Sequence, residues 1–88
     1  MTEKELEKAL KALANRRRLA IIKYLKQKPE ASVGDISRAI RLSFRSTSKH
    51  LAVLTAADML DKEQRSLQIF YRLADQLTPA LSALLNLV

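Results

Sequence analysis

Ser43-Phe44-Arg45-Ser46-Thr47-Ser48-Lys49-His50-Leu51-Ala52-Val53-Leu54 is the stretch whose reading decides the fold. At about 100° per residue, Thr47, Leu51 and Leu54 fall on one side of a helix at the i, i+4, i+7 spacing of a buried stripe. Arg45, Ser46 and Lys49 fall on the opposite side, with Ser48 and Ala52 at its edge. Ser43 is a natural N-cap, so the positive end of the helix dipole lies beside Arg45. Two cations, several hydroxyls and one small residue make a narrow donor-rich face. Such a face can enter a major groove and meet phosphates and base edges. A solvated helix face is the commoner meaning of this pattern in isolation, so the weight rests on its surroundings.

Immediately upstream, Ser32 with Asp35 fits a capping box, and a helix from there carries Val33, Ile36, Ala39 and Ile40 inward. Only Arg41-Leu42 separates that helix from Ser43. Two short helices joined so tightly predict a helix-turn-helix over about residues 32–57. Asp58 follows at the place where a left-handed residue ends a helix, a conformation Asp tolerates better than most.

Working outward, Thr2 with Glu5 fits another capping box, and the Leu6, Leu10, Leu13 spacing predicts a first helix from Glu3 to Ala14. Asn15 caps a second helix with a Leu19, Ile22, Leu25 stripe that ends before Pro29. Its first turn holds Arg16, Arg17 and Arg18, cations set against the helix dipole, whose simplest role is solubility, with a phosphate contact as the alternative. Downstream, Met59–Glu63 and Leu67–Leu73 predict two strands around a polar tip, Gln64-Arg65-Ser66, forming a wing at about 59–73. A final helix starts at Thr78-Pro79, cap then proline, and runs over about 78–88. The expected architecture is one mainly α, winged helix-turn-helix domain over residues 1–88, in the order α-α-α-α-β-β-α.

Composition sets the class of partner. Sixteen Lys+Arg against nine Asp+Glu give a formal net charge of +7, which favours a polyanion such as nucleic acid. There is no cysteine, so disulfides and thiolate metal sites are excluded. The start, Met1 to Glu5, has no apolar core of a secretory signal, and the uncharged run of 13 residues from Gln76 to Val88 is too short to span a bilayer. The expectation is a cytoplasmic protein, nucleoid-associated if prokaryotic, with no membrane partner. Ser46 to Lys49 matches an S-x-x-K pattern, but no Ser-Asp-Asn or Lys-Thr-Gly follows, and His50 is the single histidine. Neither an enzyme nor a cofactor is expected.

The chain resembles the ArsR/SmtB family of winged-helix transcriptional repressors. The resemblance rests on Lys11 to Ile22, Val33 to Ile40, Leu42 to Ala57 and Met59 to Leu73, the last ending in the typical Tyr71-Arg72-Leu73, and it spans roughly residues 9–75. Its most specific element is Ser43-x4-Ser48-Lys49-His50-Leu51-x-Val53-Leu54. MarR-like regulators share the layout and remain an alternative assignment. The resemblance implies a homodimer joined through the first and last helices, and repression by promoter occlusion. The chain departs from the family's metal sensors: Ser32 and Gly34 stand where those members carry cysteines, and no His, Asp or Glu follows Asp75. No metal is therefore expected. Asp58 replaces a frequent helix-end glycine, and the wing tip lacks glycine.

Specific roles follow. Arg45 is the candidate base reader, Lys49 a phosphate contact, and Ser43, Ser46 and Ser48 are hydroxyl donors to phosphate, although capping alone would explain Ser43. His50, beside the apolar stripe, is equally a packing residue or a DNA contact. Arg65 at the tip, supported by Lys62, would reach a minor groove or the backbone, and Arg38 and Arg41 flank the turn. The last helix is apolar on more than one face. Leu77, Leu81, Leu84, Leu85 and Val88, with Leu6 and Leu10, form the expected dimer interface. The resulting expectation is a homodimeric regulator that binds double-stranded DNA at a pseudo-palindrome. The alternative is an architectural DNA-binding or protein-interaction module without sequence choice.

Overall fold

The computed structural model describes residues 1–88. It contains α1 (Glu3–Leu13), α2 (Arg16–Lys26), β1 (Ala31–Ser32), α3 (Val33–Ile40), α4 (Phe44–Ala56), β2 (Leu60–Arg65), β3 (Gln68–Leu73) and α5 (Pro79–Asn86). Each helix starts where a side chain can take up a free amide. Thr2 and Glu5 form the reciprocal capping box of α1. Asn15 Oδ1 accepts from the amides of Arg17 and Arg18 at 2.9 and 3.1 Å. Ser32, Ser43 and Thr78 cap α3, α4 and α5 through single hydroxyl acceptors. No helix is long and apolar enough to cross a membrane.

The wing differs from its expectation in two ways. It is three-stranded, in the order β1-β3-β2, because Ala31 and Ser32 pair antiparallel with Tyr71 and Phe70. Two residues are too few for an alternating pattern, so only the partner strand reveals β1. The tip also moves: Arg65 pairs with Gln68, so the turn is Ser66-Leu67, with Ser66 at a φ of 56°.

The core gathers Ile21, Ile22 and Leu25 of α2, Ile36 of α3, Leu51 and Leu54 of α4, and Met59. The buried stripes of three helices are rotated from those the spacing suggested. α1 turns Ala9, Ala12 and Leu13 inward and leaves Leu6 and Leu10 at 40% and 47% exposure. Small side chains permit a close approach to the core, while the larger Leu6 and Leu10 stay at the surface. In α2, Ile21 is buried and Leu19 is exposed, and in α3, Ser37 takes the place expected for Ala39.

The arginine run has a structural use that was not foreseen. Arg18 donates from Nε to the Ala12 carbonyl at 2.6 Å and from Nη2 to that of Lys11 at 3.2 Å. Arg17 donates from Nη1 to the Ile40 carbonyl at 3.0 Å. The carbonyls left free at the ends of α1 and α3 thus receive cationic donors from the start of α2, which complements both helix dipoles. The chain leaves α3 through Arg41 in the left-handed region (φ 56°) and leaves α4 through Asp58 (φ 61°). At Asp58, the Met59 amide closes the helix end onto the Leu54 carbonyl at 3.1 Å.

Candidate nucleic-acid interface

Burial on one side of α4 sets its rotation. Thr47, Leu51 and Leu54 are wholly buried, so Arg45, Lys49 and Ala52 point into solvent. The ion pairs within the chain engage Lys11, Arg38, Arg65 and Arg72, leaving Arg45 and Lys49 unpaired. Ser43 Oγ accepts from the Ser46 amide at 3.1 Å, so its oxygen caps the helix while its O–H is left to donate. Ser46 and Ser48 are half-buried at the edges of the cationic face. Arg41 is exposed in the turn between α3 and α4, and Lys62 is exposed on β2 opposite Tyr71.

Three other expected contacts are engaged elsewhere. Arg38 bonds Asp35 at 2.7 Å across one turn of α3, an exposed pair that still leaves the guanidinium at the surface. Arg65 lies at the end of β2 and not at the tip. Its guanidinium bonds both carboxylate oxygens of Glu30, one of them at 2.7 Å, and both of Glu63 at 3.0 and 3.2 Å. It also stands 4.7 Å from the centre of the Phe70 ring. The arginine holds Glu30 and Glu63 below the ordinary carboxylate range, and they raise its own affinity for a proton. This cation fastens the wing to the segment before β1.

His50 is half-buried and turned toward α2, with Nδ1 3.2 Å from Arg18 Nη1. Burial, then the charges of Arg18 and Arg17, push its pKa below the ordinary histidine value. The geometry accounts for the packing use through Nδ1.

The expected dimer set divides. Leu81 and Leu85, one turn apart on α5, are buried within the protomer, a correction to their assignment as interface residues. Leu77, Leu84 and Val88 are partly buried against the same core. Lys26 Nζ donates to the Val88 carbonyl at 2.9 Å, tying the end of the chain to α2. With no charge on α5, only Ser82 and Asn86 mark its outside, so spacing alone could not separate core from interface. Leu6 and Leu10 of α1, and Leu87 beyond α5, remain open.

Phe44 was missed. It precedes Thr47, Leu51 and Leu54 by three, seven and ten residues and so continues their stripe, yet it is 62% exposed because the stripe overruns the core at the first turn. Leu67, in the wing turn, is 96% exposed. A cavity of about 550 Å³ lies at the other end of α4, and its carboxylates Glu5, Asp58, Asp61 and Asp75 make it unsuited to a polyanion.

A helix-turn-helix domain family model matches residues 13–63. The transcriptional activator HlyU of Vibrio cholerae is 37% identical over 77 residues, covering 88% of this chain and 70% of the relative. The structure of reduced HlyU superposes with a TM-score of 0.80, at 32% identity over 96% of this chain and 84% of that one. The arsenical resistance operon repressor of Bacillus subtilis is 30% identical over 73 residues, 83% of this chain and 70% of the relative. The homodimeric winged helix-turn-helix DNA-binding domain of Mb0332 from Mycobacterium bovis, a possible ArsR-family transcriptional regulator, gives a TM-score of 0.81. Its identity is 27%, over 96% of this chain and 74% of that one.

Proposed function

Because the chain belongs to the ArsR-type winged helix-turn-helix family, we propose that it is a homodimeric, sequence-specific regulator of transcription. It binds a pseudo-palindrome in double-stranded DNA and represses by occupying the promoter. The observation that carries this reading is the unpaired Arg45 and Lys49 on the open face of α4, held outward by the burial of Thr47, Leu51 and Leu54. Arg45 lies in the first turn, where a recognition helix meets base edges, and it makes a bidentate contact to guanine. Lys49, Lys62 and Arg41 neutralise phosphates, and Ser46 and Ser48 donate to phosphate oxygens. Arg38 and Arg65 contribute less, since each is already matched by carboxylates.

Two copies of α4 would occupy successive major grooves about 34–36 Å apart. The open Leu6 and Leu10 on α1, with the end of α5, supply the contact between copies. The homodimeric state of the Mb0332 domain supports an assembly of two copies. Metal control is not part of this reading, because the chain has no cysteine and one histidine, itself engaged with Arg18.

Selection of bound duplexes from a random library tests the proposal. A symmetric enriched motif is expected, with affinity falling steeply with salt, by about 0.9 in log–log slope for each phosphate neutralised. Arg45→Ala should cost about 1–3 kcal/mol on the enriched duplex and relax one position per half-site. Lys49→Ala should weaken all sequences alike. Binding without an enriched motif would point instead to an architectural protein.

A further inference from the structure

The first turn of α4 and the turn of the wing enclose an apolar groove that the cationic face leaves unused. Phe44, Leu67 and Ile69 are 62%, 96% and 37% exposed, and they line one depression together with Ser48 and Tyr71. Apolar side chains scattered singly over a surface need no explanation, but three sharing a groove beside a cationic helix end do. Phe44 is the first residue of α4, next to Arg45 and the positive end of the helix dipole. The carboxylates around the groove are matched within the chain: Glu30 and Glu63 by Arg65, Asp61 by Arg72 and Asp35 by Arg38. Whatever touches the Phe44 ring therefore sits in positive potential and must offer an apolar group at the same place. Duplex DNA combines the two, since the C5-methyl of thymine projects into the major groove between phosphate strands.

We propose that Phe44 is a specificity-determining residue whose ring packs on the C5-methyl group of one thymine in each half-site. This inference rests on the DNA-reading function proposed above and adds the base that the apolar end of the recognition helix selects. Arg45 would read a guanine edge by hydrogen bonds and Phe44 an adjacent methyl by contact. Cytosine at that position lacks the methyl and presents a hydrogen-bond donor that the ring cannot match. Leu67 and Ile69 form the far wall, facing the sugar-phosphate strand that passes between helix and wing.

Deoxyuridine gives a direct test, because it removes the methyl and keeps the pairing. The probe is the duplex enriched from a random library, with each thymine replaced in turn by deoxyuridine. For the unaltered protein, one replacement per half-site should weaken binding roughly fourfold, as expected for one methyl lost from an apolar contact. Phe44→Ala should bind the thymine duplex more weakly and no longer distinguish it from the uracil duplex. Phe44→Leu should retain part of the discrimination. The side chain is largely exposed, so both variants should keep the parent's thermal midpoint. Indifference of the unaltered protein to uracil at every position would overturn the inference. Equal losses for Phe44→Ala on both duplexes would do the same. Failure to enrich any sequence would remove the DNA-reading function and this inference with it, whereas enrichment with indifference to uracil removes the Phe44 contact alone.

Discussion

Arg18 and His50 meet at 3.2 Å, the guanidinium Nη1 against the imidazole Nδ1. A guanidinium can only donate, so Nδ1 is the acceptor and the proton of the neutral ring belongs on Nε2. The same guanidinium holds the Ala12 and Lys11 carbonyls. One side chain thus joins the end of α1, which carries the open Leu10, to the recognition helix.

This contact predicts a pH dependence of stability. His50 in the fold binds its proton less readily than the ordinary value of about 6.5, so the unfolded chain protonates first. The stabilisation is complete above about pH 6.5 and is lost as the pH falls toward the lower folded value. Thermal midpoints should therefore drop between about pH 7.5 and 5.5, and His50→Gln should flatten that drop. An equally steep drop in His50→Gln would assign it to other groups.

Arg65 should behave as a fastener of the wing. Arg65→Ala is expected to lower the thermal midpoint while leaving the salt slope of DNA binding nearly unchanged, because Glu30 and Glu63 already match its charge. The pair Glu30→Gln and Glu63→Gln should free the guanidinium and steepen that slope by up to about 0.9. A slope flattened by that amount in Arg65→Ala would identify Arg65 as a phosphate contact after all.

Dimerisation should be separable from folding at α1. Leu6→Asp with Leu10→Asp alters side chains that are 40% and 47% exposed in the protomer, whereas Leu81→Asp would strike the core. Sedimentation of the α1 double variant should give a folded monomer. Its affinity for a two-site duplex should fall by a factor on the order of 10²–10⁴, through loss of the linkage between half-sites. A dimer surviving both changes would place the interface elsewhere.

Asp58 holds a left-handed conformation at the end of α4. Asp58→Gly should raise stability to urea by up to about 1 kcal/mol by relieving the steric cost of a Cβ there, less the entropy that glycine adds to the unfolded chain. A loss of stability would mean that the Asp58 side chain contributes more than its backbone conformation costs.

Caps and spacing made much of this protein legible beforehand. Thr2, Asn15, Ser32, Ser43 and Thr78 mark helix starts because each is a local competition for amides one turn away, which neighbouring residues settle. The Thr47, Leu51, Leu54 stripe likewise oriented α4, and with it the outward Arg45 and Lys49. The left-handed Asp58 was expected for the same kind of local reason.

By itself, then, the sequence determined the winged helix-turn-helix order and the outward face of α4, since short-range hydrogen bonding and helical periodicity suffice for both. Tertiary structure alone decided which of two adjacent stripes α1 buries, that Leu81 and Leu85 belong to the protomer, that Phe44 outruns the core, and that Ala31-Ser32 becomes a strand. It also decided that Arg17 and Arg18 cap other helices and that Arg65 is taken up by Glu30, 35 residues away. Those outcomes depend on partners far along the chain. A long cationic side chain satisfies whichever carbonyl or carboxylate the packing brings within reach, and an uncharged, mostly apolar helix buries whichever face the core meets.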